Sequence, residues 1–267
     1  MRIPMISLAH VINPVVVDHT SDLIAAQPIT FETMRVAKEF SKNRVDVDLC
    51  AVQFYDEPRI PVPGEFIKLP DLTRSIADIK AFKRKRKLPL IKDILDALSK
   101  SSLAEYFIYT NVDIALQPYF YLMVSCIVRQ GYDAFIINRR TIPEAYTRIE
   151  QIPLMYAELG EKHRGWDCFI FHRSLYPRFR LGTACIGSGW IGRLMITNMS
   201  ALAKKFEIFT DLHVTFHIGN KKAWKAPPWD DYLEHNKNEC RRILEDFDLK
   251  YGPFDRSGLP GRFFSRL

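Results

Sequence analysis

The feature that most constrains this 267-residue chain is the passage from Tyr106 to Asp113, where an unbroken apolar and aromatic run ends abruptly in Asn111, Val112 and Asp113. A strand buried on both faces reads as such a continuous run, unlike the alternation of a half-exposed strand. Pro118 follows, and beyond it Phe120, Met123, Val124, Ile127 and Val128 recur at helical spacing until Gly131. Strand, polar turn and helix form the unit of an open α/β sheet, and ligands bind such sheets outside the carboxyl ends of the strands. Asn111 and Asp113 therefore stand where chemistry is expected. Side-chain oxygens at i and i+2 can face one hard cation, which in turn can hold phosphate oxygens. The same two residues also suit a plain turn closing a strand.

The rest of the chain supports this framework. Ile6 to Val17 contains two β-rich pieces around Asn13 and Pro14, Thr30 to Ser41 has helical spacing behind a Thr cap, and Val45 to Phe54 is another strand. The proline-rich stretch from Tyr55 to Pro70 reads as irregular, with one short strand at residues 66–69. Asp71 caps a helix towards Lys80, which runs into the basic cluster Lys83, Arg84, Lys85, Arg86 and Lys87. Ile91, Ile94, Leu95 and Leu98 then form one helical stripe. Strands are expected at residues 133–138, 167–172, 206–210 and 212–218, a helix at 191–204, and a helix with loops rather than core sheet between Thr141 and Trp166. The expected architecture is a single α/β domain with a mixed, mostly parallel central sheet flanked by helices. Residues 1–117 are expected to form its first half and 118–220 its second, the acceptor half if the first is a nucleotide-binding half, with 221–267 a C-terminal helix and basic tail.

Composition narrows the class. Hydrophobic residues make up 47% of the chain and charged residues 26%, and 18 Phe with 11 Tyr exclude a disordered chain. The formal charge of +7 favours anionic partners: nucleotides, nucleic acid or an acidic membrane surface. Five scattered cysteines without a C-x-x-C pair fit buried, reduced thiols in a cytoplasmic protein rather than a disulfide framework or a zinc knuckle. No stretch reaches the roughly 20 apolar residues of a membrane span, which leaves peripheral association with an acidic membrane as the expected mode of any membrane contact.

This layout, with the motif Tyr109 to Ile114, Asp167 before a strand, and His213 or His217 near the end of the sheet, resembles the GT-A class of nucleotide-diphospho-sugar glycosyltransferases over roughly residues 3–218. The resemblance implies transfer of a sugar from a nucleotide-diphospho-sugar donor to a hydroxyl of a glycan, lipid-linked or small-molecule acceptor. It implies Mn²⁺ or Mg²⁺ held at an aspartate motif, usually D-x-D, with a late histidine able to complete the metal shell. Here Asn111 replaces the first aspartate, and an amide oxygen brings no charge to the ion. Asp113 supplies the charge. Leu212, Val214, Phe216 and Ile218 alternate with His213, Thr215 and His217, which places both histidines on one face but ~13 Å apart, at ~3.3 Å per residue. Only one reaches a single ion unless the strand breaks, and His213, near Asp211, is the preferred ligand. Asp167 is the implied carboxylate beside the sugar or acceptor, a general base or a stabiliser of oxocarbenium character, with Glu144 and Asp211 as weaker substitutes. Asn13 takes the nucleoside position, with Asp18 further along its loop. Lys83, Arg84 and Arg86 are cations for the diphosphate, or else a solvated charge run. Trp166, Trp190 and Trp229 offer faces for sugar rings, although large aromatics also simply fill cores.

Two other classes compete. Gly187, Gly189 and Gly192 fit G-x-G-x-x-G, the fingerprint of a Rossmann NAD(P)-dependent oxidoreductase, but only 56 residues follow Asp211, too few for a second mononucleotide half. The basic charge also fits a nucleic-acid-binding protein or a nuclease built on Asp113, although no recognised nucleic-acid module is present.

Overall fold

A computed structural model describes residues 5–163, 165–220 and 230–251. Trp224, Trp229 and the basic tail beyond residue 251 lie outside the described residues. In chain order the elements are β1 (Ile6–Ile12), α1 (Leu23–Ser41), β2 (Val45–Ala51), β3 (Phe66–Lys68), α2 (Ile91–Ser101), β4 (Tyr106–Thr110), β5 (Ala115–Leu116), α3 (Phe120–Arg129), β6 (Ala134–Ile137), β7 (Arg140–Ile142), α4 (Ile152–Ala157), β8 (Glu161–Lys162), β9 (Cys168–His172), α5 (Ile191–Leu202), β10 (Phe206–Phe209), β11 (Thr215–Ile218) and α6 (Asp230–Tyr251).

Seven strands form the central sheet in the order β10-β6-β9-β4-β1-β2-β3. All neighbours pair in parallel except β9, which runs antiparallel to both β4 and β6. The expected mixed, mostly parallel sheet is present. Its strands are apolar on both sides because each face carries helices. Ala9, Val11, Phe107 and Tyr109 pack with α2, α5 and α6 on one face, whereas Leu8, Ile12, Tyr106 and Ile108 pack with α1 and α3 on the other. A second sheet, β5-β11-β7-β8, sits where β4 and β6 end, since β5 follows β4 and β7 follows β6 after short turns.

Several local expectations are corrected. Residues 13–17 form no strand; the Gln27 amide instead bonds both the N–H and the carbonyl of Val15, at 2.9 and 3.0 Å, and so takes a partner strand's place. That anchoring accompanies a helix starting at Leu23, with Thr30 buried inside it rather than capping it. The helix expected from Asp71 to Lys80 shrinks to one 3₁₀ turn, Ile76–Asp78. Leu72 bridges the chain beyond β2, donating to the Gln53 carbonyl and accepting from Tyr55 N–H, and this extended backbone cannot also coil. All five cysteines are free, and Cys126 is exposed on α3 rather than buried. Among the described residues no helix is long and apolar enough to cross a membrane.

β4 carries the polar turn of the site, and Ile108 in its middle is completely buried. Ile108→Ala is expected to destabilise the fold by about 2–5 kcal/mol, read as a lowered urea midpoint at unchanged m-value.

Candidate active site

Because six strands of the main sheet run one way and β9 runs the other, the carboxyl ends of β1, β4 and β6 share an edge with the amino end of β9. Asn13 follows β1, Asn111 to Asp113 follow β4, Asn138 and Arg139 follow β6, and Asp167 precedes β9. The small sheet supplies His217 from β11, which pairs with both β5 and β7. Buried polar atoms without a hydrogen-bond partner gather at this edge: Asn13 Oδ1, Asp113 Oδ1, Asn138 Oδ1, Arg139 Nε and Asp167 Oδ2. Such atoms are costly inside a protein, and their clustering marks a place built to meet something else.

His217 Nε2 lies 3.1 Å from Asp113 Oδ2, and its Nδ1 lies 2.9 Å from the Gly219 carbonyl. A carbonyl only accepts, so Nδ1 carries the proton and Nε2 is left facing the carboxylate. Two states satisfy that geometry: an imidazolium donating to Asp113, or a neutral imidazole and a carboxylate sharing a cation. A ring N–H given to a backbone carbonyl is also how metal-binding histidines are commonly oriented. Gly219 makes the arrangement feasible. Its φ is +69°, and an added Cβ would come within 2.9 Å of Glu144 Cβ.

The second pair is Arg139 and Asp167, with Nη1 3.3 Å from Oδ2 and both side chains largely buried. His163 Nε2 stands 4.0 Å from the same oxygen. The two carboxylates are driven in opposite directions. Burial pushes Asp113 up, but the hydrogen bond from His217 and the charges of His217 and Arg139 outweigh it and hold the carboxyl below its ordinary value. For Asp167 burial prevails over Arg139, and with the negative charge of Asp113 nearby the carboxyl lies above its ordinary value. Two carboxyls pushed apart in this way suit different tasks, a permanent anion and a proton acceptor.

Of the residues chosen from sequence, Asn13, Asn111, Asp113 and Asp167 stand at this edge, and the others take other partners. His213 lies before β11, with φ at +50°, its Nε2 on the Glu158 carbonyl and its own carbonyl holding the Tyr119 hydroxyl. The strand begins only at Thr215, so the assumed alternation from Leu212 does not hold and His217 is the histidine at Asp113. Asn111 is exposed, and its amide oxygen accepts from the Tyr109 hydroxyl at 3.0 Å. Asn13 is buried after β1 and donates to the Val52 carbonyl. The basic run is tied to α6 through its backbone: Lys83 N–H donates to Asp231, Arg86 N–H to the Tyr232 hydroxyl, and that hydroxyl to the Arg84 carbonyl. Lys87 turns instead to the end of β2, against Asp56, Glu57 and the ring of Phe54. Asp18 holds a turn with Thr20, and Asp211 is spent on Arg140 and Lys162. Arg139 escaped notice in the sequence, its only signal being its place directly after a buried strand.

Asp113 and His217 fit a divalent cation in their chemistry: one charged oxygen ligand with a buried unpartnered lone pair, and one oriented imidazole nitrogen. Among the described residues no cluster of three His, Cys, Asp or Glu side chains forms a closed metal site. Magnesium is ordinarily held with few protein ligands, the remainder being phosphate oxygens and water. The glycines at 187, 189 and 192 do not open a dinucleotide-binding unit, since residues 183–186 form only an isolated bridge between Cys185 and Leu90 and no strand.

No protein-family model and no curated protein matches the sequence. Solved structures do match the fold. Staphylococcus aureus TarS 1–349 aligns over 95% of this chain and 68% of its own, with a TM-score of 0.50 at 8% identity. Its complex with UDP-GlcNAc aligns over 95% and 74%, at 0.51 and 9%. A further TarS structure gives 0.52 at 7% identity, with 94% of this chain spanning only 41% of that one. TarS is a GT-A-type glycosyltransferase, and at these identities what the two chains share is the GT-A fold.

Carbon-detected NMR of the side-chain carboxyls is expected to show Asp113 titrating below an ordinary aspartate and Asp167 above it, with both midpoints rising in Arg139→Gln. The stability contribution of Asp113 is complete above the unfolded value of ~3.9 and is lost as pH falls through its lower folded value. Asp167 contributes with the opposite sign, its penalty accumulating as pH rises from ~3.9 to its higher folded value. Gly219→Ala is expected to cost about 1–3 kcal/mol through its left-handed backbone, seen as a lowered Tm.

Proposed function

We propose that this chain transfers a glycosyl group from a nucleoside-diphosphate sugar to an acceptor hydroxyl, at the edge where Asp113, His217, Arg139 and Asp167 meet. The observation that carries the reading is the His217 tautomer: the Gly219 carbonyl turns Nε2 toward Asp113, beside a carboxylate oxygen that has no partner. The GT-A fold supports it, as does the binding of UDP-GlcNAc by TarS, its structural neighbour.

Asp113 and His217 would hold Mn²⁺ or Mg²⁺, which when bound draws negative charge off the departing diphosphate. Asn13 lines the nucleoside end, and Asn111 offers its amide NH₂ to the donor at the rim. Lys83, Arg84 and Arg86 add a positive field that attracts the donor rather than direct ligands, since their backbone is bound to α6. Asp167, with its raised proton affinity, takes the proton of the acceptor hydroxyl as that oxygen bonds to the anomeric carbon. The bond from that carbon to the diphosphate oxygen breaks with its electron pair, and the nucleoside diphosphate leaves. Arg139 keeps Asp167 ionised often enough to act and balances the charge of Asp113.

A thermal-shift panel of nucleotide sugars, each with and without Mn²⁺, tests the reading. A donor at 100 times its Kd is expected to stabilise the chain by ~2.7 kcal/mol, and the stabilisation is expected to need Mn²⁺ and to vanish in Asp113→Ala and His217→Ala. A panel without any stabilising nucleotide sugar sinks the proposal. With a turnover assay in hand, Arg139→Gln is expected to move the acid limb of kcat/KM to higher pH, because removing the guanidinium raises the Asp167 carboxyl further.

A further inference from the structure

A cavity of about 430 Å³, lined by Lys80, Lys83, Asp231, Glu234, His235 and Asn238, shares no residue with the group around Asp113. Its volume falls within the ~300–1,000 Å³ of small-molecule sites. The first turns of α6 form one wall and the start of the basic run forms the other. The walls are locked together. Phe82 stacks on Tyr232, with ring centres 3.9 Å and planes 7° apart, and Asp231 accepts from Lys83 N–H on Oδ2 at 2.8 Å and from Tyr232 N–H on Oδ1 at 3.0 Å. Both oxygens of Asp231 thus serve the wall rather than its contents.

His235 points to what the cavity takes. The residue is only 9% exposed, and its ring stands edge-on to Phe82, with centres 5.8 Å apart. Its Nε2 lies 3.1 Å from the Thr183 carbonyl and 3.2 Å from the Thr183 hydroxyl. A carbonyl only accepts, so Nε2 carries the proton and Nδ1 of the neutral ring is left with a lone pair. Among the described residues Nδ1 has no hydrogen-bond partner, and a buried ring nitrogen without one is costly unless a ligand meets it. The exposed side chains of the lining are uncommitted as well. The Lys80 ammonium meets only the face of Phe82, 5.8 Å from its centre, and among the described residues the Glu234 carboxylate and the Asn238 amide have no partner.

We propose that this cavity binds a sugar phosphate, with the phosphate against Lys80 and the hydroxyls against Glu234, His235 Nδ1 and Asn238. A bare anion would leave these acceptors unmet and would face the charge of Glu234, and a neutral sugar would leave the ammonium unmet. A molecule with one anionic end and several O–H donors uses both. The site is independent of the glycosyl-transfer reading above, since it draws on no residue of the Asp113 edge.

Isothermal titration calorimetry on the whole chain tests the proposal, with glucose 6-phosphate, glucose and inorganic phosphate as probes. Glucose 6-phosphate is expected to bind at least about tenfold tighter than either fragment. In Lys80→Ala its Kd is expected to rise about five- to tenfold. In Glu234→Ala it is expected to rise about threefold, whereas inorganic phosphate is not weakened there, because a repelling charge has gone. Both side chains are exposed, so Tm is expected to stay unchanged in the two variants. The His235 Nδ1 resonance in nitrogen NMR is expected to shift on addition of glucose 6-phosphate. Binding is expected to persist in Asp113→Ala, which separates this cavity from the glycosyl-transfer edge. Absence of glucose 6-phosphate binding, inorganic phosphate binding as tightly, an affinity unmoved in Lys80→Ala and Glu234→Ala, an unmoved His235 resonance, or binding lost in Asp113→Ala overturns the inference. Each of these outcomes leaves the nucleotide-sugar test of the glycosyl-transfer reading to be decided by itself.

Discussion

One reversed strand governs the rest. In a wholly parallel sheet every amino end lies on the opposite edge from every carboxyl end, and a residue that precedes a strand cannot meet residues that follow its neighbours. β9 runs backwards between β4 and β6, so its entry point, Asp167, arrives beside the exits of those strands, Asp113 and Arg139. The insertion is stabilised by continuous pairing on both sides, from Tyr106 opposite His172 to Thr110 opposite Cys168, and from Ala134 opposite Phe171 to Ile136 opposite Phe169. Two acidic residues more than 50 positions apart thereby share one buried edge, and the charge of Asp113 raises the proton affinity of Asp167.

The small sheet completes what the large one begins. β4 and β6 both leave the main sheet after a short polar turn and re-pair in the second sheet, and β11 lies between their continuations. This geometry, rather than local propensity, puts His217 against Asp113. The Gly219 carbonyl then keeps a proton on Nδ1, so that Nε2 is the nitrogen that confronts the carboxylate. The edge carries several buried polar atoms that find no hydrogen-bond partner, a cost that the apolar packing on both sheet faces offsets.

α6 plays a different part. Its first turns grip the two segments that precede α2 and α5. Tyr232 stacks on Phe82 and ties down the basic run, and Asn236 and Glu239 tie down the loop from Thr183 to Gly189. The backbone of residues 83–86 and the loop before α5 are thus fixed by one helix.

The sequence by itself determined the sheet's components and the position of its chemistry. Continuous apolar runs closed by Asn or Asp mark β4 and β6, the stripe from Ile91 to Leu98 marks α2, and Asp113 and Asp167 stand at strand ends where ligands bind, because hydrophobic periodicity and turn chemistry are local properties. The tertiary structure decided which histidine faces Asp113, since that depends on a strand beginning at Thr215 instead of Leu212 and on a left-handed His213, neither of which alternation reveals. It also decided the role of Arg139, the backbone tether of Lys83 to Arg86, and the extended bridge at Leu72 that replaced a helix. Each of these depends on partners far away in the chain, and a distant partner leaves no period in the sequence to read.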